Sequence, residues 1–201
     1  MDLDKTADML ARRAGVTIEM LDKRHADRFA REFCGLYNIA WRDHWGFEPY
    51  TSAELLYAAK DLLGLIPKEM VMTARNKDGE MVGGAICTPD LNDLFRDFDG
   101  KMGIREMVKT AAAILAPPSF KFVKRSKTLR YIALGVLPKY ESRGASAALM
   151  LKIAGYGLKH QYEVLNMSWV LEDNEPMINV PVGKLHMTPD QRWRFFSWRP
   201  T

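Results

Sequence analysis

The chain lacks any apolar run near the ~20 residues needed to cross a bilayer, which excludes a spanning role, and no membrane partner is expected. It has only two cysteines, Cys34 and Cys87, far apart in sequence. That leaves too few for a multi-disulfide framework and fits two inert thiols in a reducing compartment, ahead of a single disulfide or a reactive cysteine. The four histidines, His25, His44, His160 and His186, stand singly, and nothing has metal-ligand spacing, so no metal is expected. A strong excess of one charge is also missing. The 29 basic residues against 25 acidic ones leave +4, which suits an anionic nucleotide cofactor and is too little to argue for nucleic acid. There is no repeat and no low-complexity tract. The start, Met1-Asp-Leu-Asp-Lys5, is acidic and no apolar stretch follows it, so no secretory signal is read and the cytoplasm is the expected compartment.

What is present is an ordinary globular composition, 47% apolar and 27% charged, in 201 residues. That is enough for one domain with a full core. Residues 1–14 are charged with few apolar positions and are expected as a frayed helix or tail, with residues 15–201 as the domain. Val16–Leu21 suits a short first strand. His25 to Arg42 repeats Phe29, Phe33, Leu36 and Tyr37 at helical spacing. Ser52 is expected to cap a second helix with Leu55, Leu56, Ala59, Leu62 and Leu63 on its apolar side. Met70–Ala74 and Met81–Cys87 flank Asp78-Gly79, a hairpin signal. Gly83 and Gly84 inside the second strand suggest a bulge or a close approach. Ile104–Leu115 reads as a helix stopped by Pro117-Pro118. Lys121, Lys124, Arg125, Lys127 and Arg130 form a basic stretch, either a solvated face or an attractor of phosphates. Leu129–Leu137 suits a strand and Ala147–His160 a helix, with Ala147, Leu151, Ala154 and Leu158 as its stripe. Leu165–Glu172 and Gln191–Trp198 suit two more strands. The expected class is a mixed α/β sheet flanked by helices.

The informative stretch runs from Arg130 to Leu151: a strand, Pro138, a turn crowded with Ser142, Gly144, Ala145 and Ser146, then a helix. A helix start offers free N–H groups and a positive dipole end. Small side chains let an anion approach, so the turn is a ready pyrophosphate site, although a purely structural turn would read the same.

This stretch resembles the acyl-CoA-binding motif of the GNAT N-acyltransferase superfamily. There a strand ending Val-x-Pro-x-Tyr leads into Arg/Gln-x-x-Gly-x-Gly/Ala. Here it is Val136-Leu-Pro138-Lys-Tyr140, then Glu141-Ser-Arg143-Gly144-Ala-Ser146. The family's later strand ending in an acid and Asn is matched by Ser168-Trp-Val-Leu-Glu172-Asp173-Asn174. A bacterial subgroup also carries segments like Trp41-Arg-Asp-His44-Trp45-Gly46-Phe47 and Pro89-Asp-Leu-Asn92. Two departures stand out. Glu141 replaces Arg or Gln beside the expected phosphates, and Pro181 stands where many members place a Tyr as general acid for the leaving thiolate.

The resemblance implies a mainly antiparallel sheet with one splayed parallel pair, and direct acyl transfer from acetyl-CoA or a longer acyl-CoA to a small-molecule or peptide amine. It implies cofactor contacts at Leu134, Gly135, Val136, Ser142, Arg143, Gly144, Ala145, Ser146 and Asn174. A backbone N–H near Val136 would face the oxyanion. Glu172 is the candidate base, and Asn38, Trp41, Trp45 and Phe47 would line the acceptor cleft. Asn174 also reads as a helix cap, and Glu172 as a carboxylate that merely ends a strand. Two other readings stand beside the enzyme: a degenerate binding module without chemistry, favoured by Glu141 and Pro181, and an N-acyl amino acid synthase using long acyl chains. The latter could take them from an acyl carrier protein that meets the basic stretch. A homodimer is left open.

Overall fold

A computed structural model describes residues 2–116, 119–120, 122–184, 186–196 and 198. Pro117, Pro118 and Lys121 lie outside the described residues, as do the side chains of Leu62 and Leu63. The chain divides into two units, Met1–Trp169 and Val170–Thr201.

The first unit holds a five-stranded sheet in the order β1-β2-β3-β4-β5. Its strands are β1 (Thr17–Met20), β2 (Val71–Arg75), β3 (Met81–Pro89), β4 (Thr128–Val136) and β5 (Val164–Asn166). The first four are antiparallel neighbours, and β4 and β5 are parallel. The mixed sheet expected from the sequence is the one found. The β2–β3 turn works through local chemistry: Asn76 Oδ1 accepts from the N–H groups of Asp78 and Glu80 at 2.9 and 3.0 Å. Gly79 takes φ 79°, a conformation that suits glycine.

Helices cover both faces. They are α1 (Leu3–Ala14), α2 (Ala26–Ala40), α3 (Ser52–Leu65), α4 (Asn92–Phe95), α5 (Ile104–Leu115), α6 (Pro138–Glu141) and α7 (Ala145–Lys159). On one side Phe29, Phe33 and Leu36 of α2 meet Val71, Met81 and Ile86 of the sheet. The close approach at the β3 glycines is made by side chains. A Cβ on Gly84 would stand 2.9 Å from the Phe33 ring, and one on Gly83 would stand 3.0 Å from Val136 and 3.3 Å from Leu149 of α7. The cap of α3 is Thr51 rather than Ser52: its Oγ1 accepts from Glu54 N–H at 3.2 Å while Glu54 accepts from Thr51 N–H at 2.8 Å.

The first residues are not a tail. Asp2 caps α1, and Gly15 ends it in the left-handed region. Ala7, Ala11 and Ala14 form a buried small-residue stripe, and Asp4 pairs with Lys159 at 2.6 Å and Lys152 at 3.6 Å on α7. The Lys159 hydrogen bond, foremost, holds the Asp4 carboxyl below its usual range. With α1 on one side and the sheet on the other, α7 is buried nearly all round. Ala145 to Leu151 and Ile153 are inside, whereas Leu158 of the expected stripe is exposed. A stripe is what a helix at the surface needs; a helix packed on two sides hides more of its circumference.

The expected strand over 165–172 is cut short. Asn166 Oδ1 accepts from Ser168 N–H at 2.7 Å, an Asx turn, and Ser168 has φ 58°. In the second unit Leu171 to Asn174 forms a turn, Asn174 Oδ1 accepts from Met177 N–H at 3.3 Å, and α8 (Glu175–Ile178) follows. A π-helical turn, Asn179–Lys184, carries Pro181. Residues 191–196 form no strand. Their apolar alternation lacks a pairing ladder, and alternation alone does not make one.

Candidate active site

The site is built where β4 leaves its parallel partner. Thr128, Leu129 and Arg130 pair with Val164, Leu165 and Asn166, and the ladder stops there. On the other edge the register shifts: Ile86 faces Ala133 and Cys87 faces Tyr131, so Ile132 is an extra residue. A bulge bends its strand. Ser168 Oγ donates to the Tyr131 carbonyl at this same level. Beyond it, Ala133 to Val136 stay paired with β3 but have no β5 partner. That unpaired edge can bond an extended ligand as an added strand would.

The strand runs straight into the turn. Pro138 begins α6, Gly144 N–H donates to the Glu141 carbonyl at 3.1 Å, and Gly144 takes φ 96°. No side chain caps α7, and its first intrahelical bond is Ala148 N–H to the Gly144 carbonyl at 2.9 Å. The N–H groups of Ala145, Ser146 and Ala147 therefore precede the ladder, the arrangement that receives an anion. Ser142 and Arg143 are exposed and Gly144 is half-buried, while Ala145 and Ser146 are buried. The outer turn can meet solvent; the inner two residues offer backbone only. Leu10 of α1 would lie 3.3 Å from a Cβ on Gly144.

Against the other side of β4 lies the loop after α2. The Trp41 indole sits on Gly135 so closely that a Cβ there would be 2.1 Å from its ring. Tyr37 is the hub of the aromatic cluster: its ring is 5.0 Å from Trp41, 5.7 Å from Phe47 and 5.1 Å from Tyr50. Helical spacing marks Tyr37 only as a core residue; its role arises because the loop folds back. Asn38 makes it fold back, since Nδ2 donates to the Tyr50 carbonyl at 2.8 Å and Oδ1 accepts from Tyr50 N–H at 3.0 Å. Asn38, expected from the sequence to line the acceptor cleft, uses its amide to hold this loop. Phe47 is half-buried and Trp45 exposed. Glu141 is half-buried, and burial pushes its carboxyl above the usual range while His44 pulls it the other way. Glu172 and Asn174 lie in the second unit, Glu172 in the turn and Asn174 at its helix cap.

Three cations of the basic stretch are paired with acids. Lys124 pairs with Asp97 at 2.7 Å, Lys127 with Glu163 at 2.7 Å and Arg130 with Asp90 at 3.0 Å, and Arg125 lies over the Tyr162 ring. A cavity of about 380 Å³ opens beside it, lined by Arg125, Lys127, Tyr162 and Glu163 among others, at the N-terminal ends of β4 and β5. It is at the opposite end of β4 from the Pro138 turn. Cys34 and Cys87 are buried, and burial pushes the Cys87 thiol well up.

The family model for the acetyltransferase (GNAT) family matches residues 30–181. The chain belongs to the GNAT acetyltransferase family. Among curated relatives it is 29% identical to a bacterial ceramide synthase of Caulobacter vibrioides, over 86% of this chain and 44% of that protein. It is 27% identical to Protein YghO of Escherichia coli K12, over 97% of this chain and 48% of that one. The chain thus spans about half the length of these relatives. Its fold is shared with the aminoglycoside acetyltransferase AAC(6')-Iy, solved with a bisubstrate analogue of CoA and acetylneamine (TM-score 0.54, 16% identity, 92% of this chain and 99% of that one). It is shared equally with PH1933 from Pyrococcus horikoshii OT3 (TM-score 0.55, 16% identity, 89% and 92%).

Proposed function

We propose that this GNAT domain moves an acyl group from acyl-CoA to a primary amine, and that the acceptor is a long-chain amine. The observation that carries the transfer is the strand that loses its parallel partner after Arg130, bulges at Ile132 and runs into an uncapped helix start at Gly144. The unpaired edge of Leu134 to Val136 would hold the cofactor arm, and the turn from Ser142 to Ser146 its pyrophosphate. The thioester supplies an activated acyl carbon. The chain's own residues bind and orient it and shield it from water, which supplies much of the rate through proximity. The acceptor class rests on the ceramide synthase relative, since ceramide is the amide of a long-chain amino alcohol, and on the aromatic wall of Trp41, Tyr37 and Phe47. Glu172 is the proposed base for the acceptor ammonium, through its place next to the family's Asn.

Thiol release tests this. The full chain is given acetyl-CoA or palmitoyl-CoA with a panel of ethanolamine, amino acids, an aminoglycoside and sphinganine. Release with palmitoyl-CoA and sphinganine is expected to dominate. A preference for acetyl-CoA with a small amine would replace the lipid acceptor by an ordinary one. CoA binding without thiol release from any pair would support the second reading, a non-catalytic module, which Glu141 and Pro181 favour by standing where the motif has Arg or Gln and Tyr.

A further inference from the structure

The segment between β3 and β4 contains a helix built the wrong way round for a globular protein. In α5, positions 104, 107, 108, 111 and 115 recur three and four residues apart and share one face. Their large apolar side chains are outside: Ile104 is 83% exposed, Met107 61%, Val108 62% and Leu115 59%. The inward side is served by Ala113 and Ile114, with Ala113 packing on Leu94 and Phe98. A surface helix ordinarily turns its bulky apolar residues in and its polar ones out. An exposed contiguous apolar face of this kind marks an interaction site.

The borders of the face say what it meets. Lys101 and Arg105 are exposed at the start and along one side of the helix, while Lys109 lies toward the packed side with its ammonium over the Phe98 ring at 5.9 Å. The one acid of the helix, Glu106, is turned back to accept from Gly103 N–H at 3.1 Å. The segment after the helix adds two exposed rings, Phe120 and Phe122, packed edge to face at 6.1 Å. Apolar face, cationic edge and adjacent aromatics are the composition of a helix lying in the plane of an anionic lipid surface. A second copy docked on the same face would add a second Lys101 and Arg105 to the seam, with no acid on this face of α5 to pair them. The absence of a spanning run does not bear on this mode, because a helix in the interface needs none.

We propose that α5 docks the domain on anionic membranes, with Ile104, Met107, Val108 and Leu115 entering the headgroup–acyl boundary and Lys101 and Arg105 meeting lipid phosphates. This goes beyond the acyltransfer reading and does not depend on it. The test is co-sedimentation of the full chain with vesicles of pure phosphatidylcholine and of phosphatidylcholine with a quarter phosphatidylglycerol. Binding is expected to the anionic vesicles, weakening as salt is raised. Ile104→Glu/Val108→Glu should bind at least about tenfold more weakly with unchanged melting temperature, since both side chains are already in solvent. Lys101→Glu/Arg105→Glu should lose the preference for the anionic vesicles. Wild-type protein that sediments with neither vesicle overturns the proposal, and so does equal binding by wild type and Ile104→Glu/Val108→Glu. Light scattering adds a check on the occupant: a wild-type dimer that Ile104→Glu/Val108→Glu converts to monomer means that a second copy covers the face, which also overturns it.

Discussion

Gly135→Ala is the sharpest perturbation of the proposed acceptor side of the site. The added Cβ would lie 2.1 Å from Trp41 Cη2, 2.2 Å from Cζ3 and 3.0 Å from Cζ2. Carbon atoms in contact prefer about 3.5–4.0 Å, so the indole must retreat by roughly 1.5 Å. It cannot do so without disturbing its stack on Tyr37 at 5.0 Å and its contacts with Phe33 and His44 at 6.5 and 6.4 Å. Overpacking of this kind costs about 1–3 kcal/mol, and one kcal/mol moves the melting temperature of a domain this size by about 2–4 °C. A fall of several degrees is therefore expected, with a shift in tryptophan emission as the ring moves. The decisive arm is the same change in a Trp41→Ala background. With no indole to strike, Gly135→Ala should then cost no more than about 0.5 kcal/mol, so the two changes should couple by roughly 1–3 kcal/mol. If Gly135→Ala destabilises equally in both backgrounds, Trp41 does not rest on β4 and the acceptor wall has been placed wrongly.

Three further outcomes are expected. Arg143→Glu, at an exposed position of the turn, should weaken CoA binding by about tenfold, corresponding to 1.4 kcal/mol, without changing the melting temperature; undiminished affinity by calorimetry would move the pyrophosphate elsewhere. It is a cleaner test than a bulky residue at Gly144, where φ 96° and Leu10 would add strain of their own. Glu141 has its carboxyl raised chiefly by burial; a raised folded value contributes stability at pH below the unfolded value and loses it as pH rises through the folded one. Glu141→Gln should therefore melt higher than wild type at neutral pH and lose that advantage on acidification, and a lower neutral melting point would show a structural role. Glu172→Gln should reduce turnover by roughly 10²–10⁴-fold with little change in melting temperature; unchanged turnover removes it from the chemistry.

Local chemistry settled much of this protein before any tertiary contact. The β2–β3 hairpin follows from Asn76 bonding the next turn and Gly79 accepting a left-handed φ, both properties of the residues themselves. The strand, Pro138 and the helix opening at Gly144 are likewise a local instruction, and so is the Asn174 cap. What only the tertiary structure decided is everything that needs a distant partner. The end of β5 combines the local Asx turn at Asn166 with the register of β4 and Ser168 reaching Tyr131, and alternation to Glu172 reveals neither of the last two. A charged first segment becomes a packed helix because Lys152 and Lys159 wait on α7, more than a hundred residues away. Lys124, Lys127 and Arg130 of the basic stretch pair with Asp97, Glu163 and Asp90, and Asn38 gives its amide to Tyr50. In α5 the periodicity is visible in the sequence, but periodicity fixes only which residues share a face; which face turns outward is set by what the rest of the chain leaves to pack against.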